Sequence, residues 1–349
     1  MLNNYIEILF LIKYPLIGLF LTFAILSFCW NPIFTCLNLK AYNNIQRVHK
    51  DEVARLGGLI IYLLFWLIYI FDFIRYDLLY NLLVSALPIV LISIKDDLFH
   101  NSSPKNRLLL MILGCLIFFH INPIIFPTIE LPYLEKIISF YPISIIFFTF
   151  SILVFMNGMN LIDGMNGLFG FTAFFQLISL AFLAYTYGDY AFMKIALFFS
   201  MPLVIFLFFN FPFGKIFIGD MGAYFYGFLI SILSIIFFGK NPDIISWLAV
   251  WLLFYPCIEL LFSIIRKIKS RKNPFDPDKQ HLHSIIFDKF INYNYDVNNS
   301  NYFSTLTLFI FWLSPVSIIF ISLDNIYLII CLIVIFTLLY LFFYRHFKQ

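Results

Sequence analysis

Charge is scarce in this chain. Of its 349 residues only 12% are Asp, Glu, Lys or Arg, against 62% that are hydrophobic and a total of 48 Phe. A soluble domain of this length has no way to hide so much apolar surface, which excludes a water-soluble globular fold. Cysteine is nearly as sparse. Cys29, Cys36, Cys115, Cys257 and Cys331 show no CxxC or metal spacing, and four lie within or at the ends of apolar runs, so they read as buried thiols rather than disulfides. Internal repeats, low-complexity linkers and a separate soluble domain are missing, and no basic domain stands apart, which argues against nucleic acid as a partner. Alternation of apolar and polar residues is missing too. The Ile-, Phe- and Val-rich runs are continuous, against a β-barrel.

What the chain does have is a series of apolar runs and a mean hydropathy of +0.93. Crossing roughly 30 Å of hydrocarbon takes about 20 helical residues. The expected fold is therefore all-α, a single integral-membrane domain over residues 1–349 with about eleven transmembrane helices. The spans read as Leu9–Trp30, Leu59–Ile74, Leu78–Ile94, Leu108–Ile125, Ile143–Ile162 and Leu168–Tyr187. They continue as Met193–Phe209, Ala223–Phe238, Ile244–Ile265, Phe303–Leu323 and Ile326–Tyr344. The first span can serve as its own insertion signal.

With this count, the odd-numbered loops and the C-terminus hold 17 of the 22 basic residues; Lys13, Arg75, Lys136, Lys194 and Lys240 are the other 5. Positive charge stays on the cytoplasmic side, so the N-terminus is expected outside and the C-terminus inside. A basic cytoplasmic face suits anionic membrane lipid or a phosphorylated substrate. Outer loops are mostly short, which leaves any chemistry to the cytoplasmic loops and the helix ends that carry them.

Acidic residues gather where spans end, in loops expected on that same side. The third span runs into Lys95-Asp96-Asp97, followed by Lys105 and Arg107. Adjacent carboxylates on a helix point about 100° apart and can face two ligands; a solvated turn is the plainer alternative. Asn157, Asn160 and Asp163 recur every three residues on one helix face, ahead of Gly164 and Gly167. They read as a polar site, with helix–helix hydrogen bonding as the alternative. Asp220 lies between Gly219 and Met221-Gly222 at the mouth of the eighth span, where an open backbone lets a carboxylate reach a hard cation. It could equally cap the helix.

Two further loops carry candidate groups. The ninth contains Asp276, Asp278 and a His281-Leu282-His283 pair, which on an extended segment points both rings the same way. Two rings without a third His or a Cys make a zinc site a poor fit, and favour hydrogen bonding to phosphate or sugar oxygens, or proton handling. The first loop has Arg47, His49 and Lys50, then Arg55-Leu56-Gly57-Gly58, where glycines at a helix start would free backbone N–H groups to face an anion. Glu259, inside the ninth span, reads as paired with another helix and receives no role.

Together these motifs resemble the polyprenyl-phosphate N-acetylhexosamine-1-phosphate transferases, a family that includes the phospho-MurNAc-pentapeptide transferase and the enzymes that initiate O-antigen synthesis. The resemblance runs from about Arg47 to His283. It implies that Asp96 and Asp97 match the family's Asp pair, and that Asp163 is the acid of the N-x-x-N-x-x-D-G motif behind Asn157 and Asn160. Asp220 would be the G-D-x-G magnesium ligand, and His281 and His283 would belong to the loop that handles the nucleotide sugar. Arg55, Gly57 and Gly58 look like the family's R-x-G-G stretch. Asn166 stands where many members carry a second Asp, which puts a metal role there in doubt. Ala54 replaces a usual Pro and Ser284 a usual His, which argues against the peptidoglycan enzyme.

The implied reaction joins a UDP-N-acetylhexosamine to polyprenyl phosphate in the bacterial cytoplasmic membrane and releases UMP. The implied cofactor is Mg²⁺, with Mn²⁺ as the alternative, held by Asp220 with Asp97 or Asp163. Asp96, Asp97, Asp163, His281 and His283 would serve the chemistry. Asn157, Asn160, Lys105, Arg107, Arg55, Gly57 and Gly58 would bind substrate, and a homodimer is compatible with this reading. The competing readings are a lipid-linked sugar transporter, whose charges would line a path through mid-membrane, and an inactive scaffold of the same assembly pathway.

Overall fold

The computed structural model describes residues 55–71, 77–99, 102–274, 276, 278–319 and 325–348. The expected first span Leu9–Trp30 lies outside the described residues, as do Arg47, His49 and Lys50. Among the described residues the fold is all-α, without strands.

The chain runs through α1 (Gly57–Ile70), α2 (Asp77–Phe99), α3 (Pro104–Ile121), the short α4 (Pro132–Ile138) and α5 (Tyr141–Ile162). It continues through α6 (Leu168–Thr186), α7 (Tyr190–Asn210) and α8 (Gly219–Lys240). Local chemistry sets several of these boundaries. Ser103 caps α3 by accepting from the Asn106 N–H, with Pro104 in the first helical position, where its missing N–H costs nothing. Asp189 caps α7 through the Phe192 N–H.

Seven described helices are long and apolar enough to cross a membrane: α2, α3, α5, α6, α7, α8 and the last, α14 (Ile326–Lys348). The helix α1 is shorter, at 14 residues. The axis of the bundle is α8, buried throughout its apolar length and flanked by α1, α2, α5 and α6. By contrast, the apolar window of α14 is only 11% buried, and Ile335, Leu338 and Phe342 are exposed, as suits a helix facing lipid.

Two expected spans are broken. The ninth divides into α9 (Trp247–Leu252) and α10 (Phe254–Lys269). Pro256 has no N–H to give the Leu252 carbonyl and its ring crowds that oxygen, so the helix is interrupted at Leu253. The orphaned Leu252 carbonyl accepts from Gln176 Nε2 on α6 at 3.2 Å. The tenth expected span becomes α12 (Val297–Thr307), α13 (Phe309–Trp312) and a 3-10 turn, Ser314–Ile319. Pro315 removes the N–H that would meet the Phe311 carbonyl, which accepts from Ser314 Oγ at 2.7 Å instead. Between these pieces lies α11 (Leu282–Asn292), which starts at the His pair.

Candidate active site

The ends of α2, α5 and α8 and the start of α1 meet at one end of the bundle, and glycines make the meeting possible. A β-carbon on Gly58 would overlap the Gly222 backbone, so only glycine lets α1 cross α8 this closely. The Gly57 and Gly58 N–H groups donate to the Phe217 and Ile218 carbonyls at 2.9 and 2.8 Å. These glycines therefore dock α1 onto the loop before α8; the expectation that their amides face an anion is corrected, because the close crossing uses both donors. At Gly219, φ is +76°, and a β-carbon would collide with the Arg55 carbonyl and come within 3.0 Å of Asp97 Oδ2.

Around this junction the two adjacent carboxylates of α2 diverge. Asp97 reaches the start of α8, where its two oxygens accept from the Asp220 and Met221 N–H groups, each at 3.0 Å. It thus caps a helix from a different element and carries charge of the favoured sign at that helix's N-terminus. Asp96, buried, turns to α3, accepting from Arg107 Nη1 at 2.8 Å and from the Ser102 N–H at 3.2 Å.

Asp220 sits between the two branches. Its Oδ1 accepts from Asn160 Nδ2 at 3.0 Å and lies 4.0 Å from Arg55 Nη1, and its Oδ2 lies 3.7 Å from Arg107 Nη1. The side chain is 21% exposed, at the mouth of the cluster. Asp163, at the C-cap of α5, accepts from the Gly219 N–H. Desolvation pushes the Asp163 carboxyl well above the usual carboxylate range; Arg55 opposes this, while Asp220 and Asp97 add to it.

Four carboxylates thus face two guanidiniums, leaving two negative charges in excess when all are ionised. Among the described residues, no three carboxylate, imidazole or thiol groups stand together as ligands of one ion. The donors are hard oxygens, however, and Mg²⁺ is commonly held by one or two carboxylates with water and substrate phosphate. The cluster fits an ion held in that way, with Asp220 and one of Asp97 or Asp163 as the protein's share.

Some expected residues stand apart. Asn157 Nδ2 donates to the Leu153 carbonyl of its own helix at 2.8 Å, so only Asn160 and Asp163 of the three-residue series join the cluster. Lys105 is exposed on the first turn of α3, outside the hydrogen-bonded cluster. Asn166 ties other segments together: its N–H meets Asn301 Oδ1 at 2.7 Å and its Nδ2 the Pro212 carbonyl at 2.9 Å. Tyr224, one helical turn beyond Asp220, is buried beside Arg107 and the carboxylates. Its spacing from Asp220 was the only sequence signal for it.

The ninth loop is held by the end of α10. Lys267 Nζ donates to the Pro274 and Asp276 carbonyls at 3.0 and 2.6 Å, and Arg266 pairs with Asp278 at 2.9 Å. These two cations brace the loop rather than standing open to phosphate. The His281 and His283 rings are parallel, 5° apart in plane and 5.7 Å between centroids. Both rings are buried, and His283 packs against the turn that follows Asp163, since a β-carbon on Gly164 would come within 2.7 Å of its Nε2. Burial lowers the His283 pKa to about 4, with Glu259 opposing, so the ring is neutral at neutral pH.

A family model described as glycosyl transferase family 4 matches residues 79–238, the segment that supplies Asp96, Asp97, Arg107, Asn160, Asp163 and Asp220. Over this segment the chain is similar to glycosyl transferase family 4. It is similar to the probable undecaprenyl-phosphate N-acetylglucosaminyl 1-phosphate transferase of Bacillus subtilis, 28% identical over 68% of this chain and 66% of that protein. The undecaprenyl-phosphate alpha-N-acetylglucosaminyl 1-phosphate transferase of Haemophilus influenzae is 27% identical over 77% of this chain and 76% of its own length. The Thermotoga maritima protein of the same name is 27% identical over 41% of this chain and 43% of its own.

Proposed function

We propose that this chain transfers an N-acetylhexosamine 1-phosphate from a UDP-sugar to polyprenyl phosphate and so initiates a cell-surface polysaccharide. The observation that carries this reading is the meeting of Asp96, Asp97, Asp163 and Asp220 with Arg55 and Arg107 at one end of an apolar bundle. The names of the relatives from Bacillus subtilis and Haemophilus influenzae supply the lipid and favour N-acetylglucosamine as the sugar.

In the simplest path, an oxygen of the lipid phosphate attacks the phosphorus that bears the sugar. The bond from that phosphorus to the bridging oxygen breaks, and UMP leaves with the electron pair. A two-step path through an aspartyl-phosphate uses the same residues. Phosphoryl transfer of this kind needs placement and charge neutralisation more than proton transfer. Arg107, steered by Asp96, and Arg55 supply fixed positive charge beside Asp220. Asn160 orients the Asp220 carboxylate, and Asp97 holds the start of α8 so that Asp220 opens to the mouth. Mg²⁺, held by Asp220 with Asp97 or Asp163, would neutralise the diphosphate. The excess of basic residues in the loops expected on this side supports a cytoplasmic position for the site.

The test is UMP release from a panel of UDP-N-acetylhexosamines, 6-deoxy sugars included, by the purified protein with polyprenyl phosphate and Mg²⁺. Release that requires the lipid supports the transferase. No release from any sugar refutes it in favour of a transporter or scaffold.

A further inference from the structure

Glu259 lies in the apolar α10, is 1% exposed, and has no part in the carboxylate cluster. A buried carboxylate is costly unless it is paired and hydrogen-bonded, and this one has a full set of partners. Its Oε1 accepts from the Leu282 N–H at 3.0 Å and faces His281 Nδ1 at 3.3 Å. Its Oε2 accepts from Tyr340 Oη, on α14, at 3.0 Å. Every contact on the Oε1 side is with the His281-Leu282-His283 segment, and the contact on the other side anchors that arrangement to the C-terminal helix.

The segment then divides its two rings between two tasks. His281 is enclosed by carboxylates, with Nδ1 toward Glu259 and Nε2 toward Asp278 Oδ1 at 3.4 Å. That leaves neither of its nitrogens open toward the site. His283, parallel to it, packs on Gly164 and thus on the turn that carries Asp163. Asp163 in turn accepts from Gly219, next to Asp220. A continuous line of contacts runs from Tyr340 through Glu259, the His segment and Gly164 to Asp163.

We propose that Glu259 is a positioning residue: pinned by Tyr340, it fixes the His segment so that His283 sets the place of the Asp163-Gly164 turn beside Asp220. For turnover this rests on the transferase reading, but the line of contacts can be tested without it. The experiment compares the whole protein with Glu259→Gln and Glu259→Ala in detergent. One measurement is hydrogen–deuterium exchange of residues 160–167; the other is kcat and KM for UMP release. The amide keeps an acceptor for the Leu282 N–H and fills the same space, so Gln should preserve most of the wild-type behaviour.

In Ala, exchange across residues 160–167 should rise at least tenfold and kcat should fall at least tenfold per folded molecule, with KM for the lipid little changed. Unchanged exchange at residues 160–167 in Ala overturns the proposal, as does a Gln variant as damaged as Ala. A kcat unchanged in Ala overturns it as well. If the wild type releases no UMP at all, the transferase reading fails while the exchange still decides the role of Glu259.

Discussion

Asp220→Asn is expected to abolish turnover while leaving the fold almost untouched. The amide keeps one oxygen for Asn160 Nδ2 and matches the carboxylate in shape. It gives up attraction to Arg107 at 3.7 Å and Arg55 at 4.0 Å, in a side chain that is 21% exposed. Pairs as open as these contribute about 0–1 kcal/mol each. Removing the charge also relieves repulsion from Asp97 and Asp163. The net change in stability should therefore stay within about 1 kcal/mol.

The effect on chemistry is much larger. With all four carboxylates ionised, the excess negative charge of the cluster falls from two to one, and Mg²⁺ held as proposed would lose one of its one or two protein ligands. Losing one preorganised electrostatic partner of a transition state costs about 10²–10³ in kcat. Asp97→Asn provides the contrast. Its carboxylate accepts two backbone N–H bonds, and an amide can accept only one while turning its NH₂ toward the other donor. That loss is worth about 1.5–3 kcal/mol. Thermal unfolding in detergent and UMP release over a Mg²⁺ titration should therefore separate the two variants. Near-wild-type turnover in Asp220→Asn across the titration would refute the role assigned to that carboxylate.

Three other expectations follow from single contacts. Gly58→Ala should destabilise the protein by about 1–3 kcal/mol, because the added carbon meets the Gly222 backbone rather than a movable side chain; an unchanged unfolding midpoint would show that α1 can shift freely. Gln176→Leu should cost about 1–3 kcal/mol by leaving the Leu252 carbonyl without a donor, and a neutral result in the same assay would mean the break at Leu253 needs no partner. His283 is neutral in the fold down to about pH 4 but protonates near 6.5 when unfolded. The unfolded chain binds more protons in that window, so this contribution is complete above about pH 6.5 and is lost as pH falls toward about 4. Stability measured against pH should fall more in the wild type than in His283→Gln, by up to about 3 kcal/mol; equal slopes would contradict it.

Much of the architecture could be read along the chain. Runs of apolar residues of spanning length located α2, α3, α5, α6, α7, α8 and α14 to within a few residues, because hydrocarbon imposes the same length on any helix that crosses it. The gathering of acidic residues at span ends was equally visible, since the cost of burying charge confines such groups to helix termini. The breaks at Leu253 and after Trp312 had signals in Pro256 and Pro315, but hydropathy alone ran across both. Glu259 carried the standing signal of an intramembrane carboxylate, and the chain did not say which loop it served.

Partner choice belonged to the tertiary structure. Asn157 and Asn160 lie on one face of one helix, yet only Asn160 stands opposite Asp220. Gly57 and Gly58 have the amides of an anion site and give them to Phe217 and Ile218 because α8 crosses there. Asp96 and Asp97 are neighbours in sequence, and they serve different helices because α3 and α8 flank the end of α2 on different sides. Spacing determines which way a side chain leaves its own helix. The donor, acceptor or charge that it meets depends on packing between helices distant in sequence, and a buried polar group takes whichever partner that packing brings within about 3 Å.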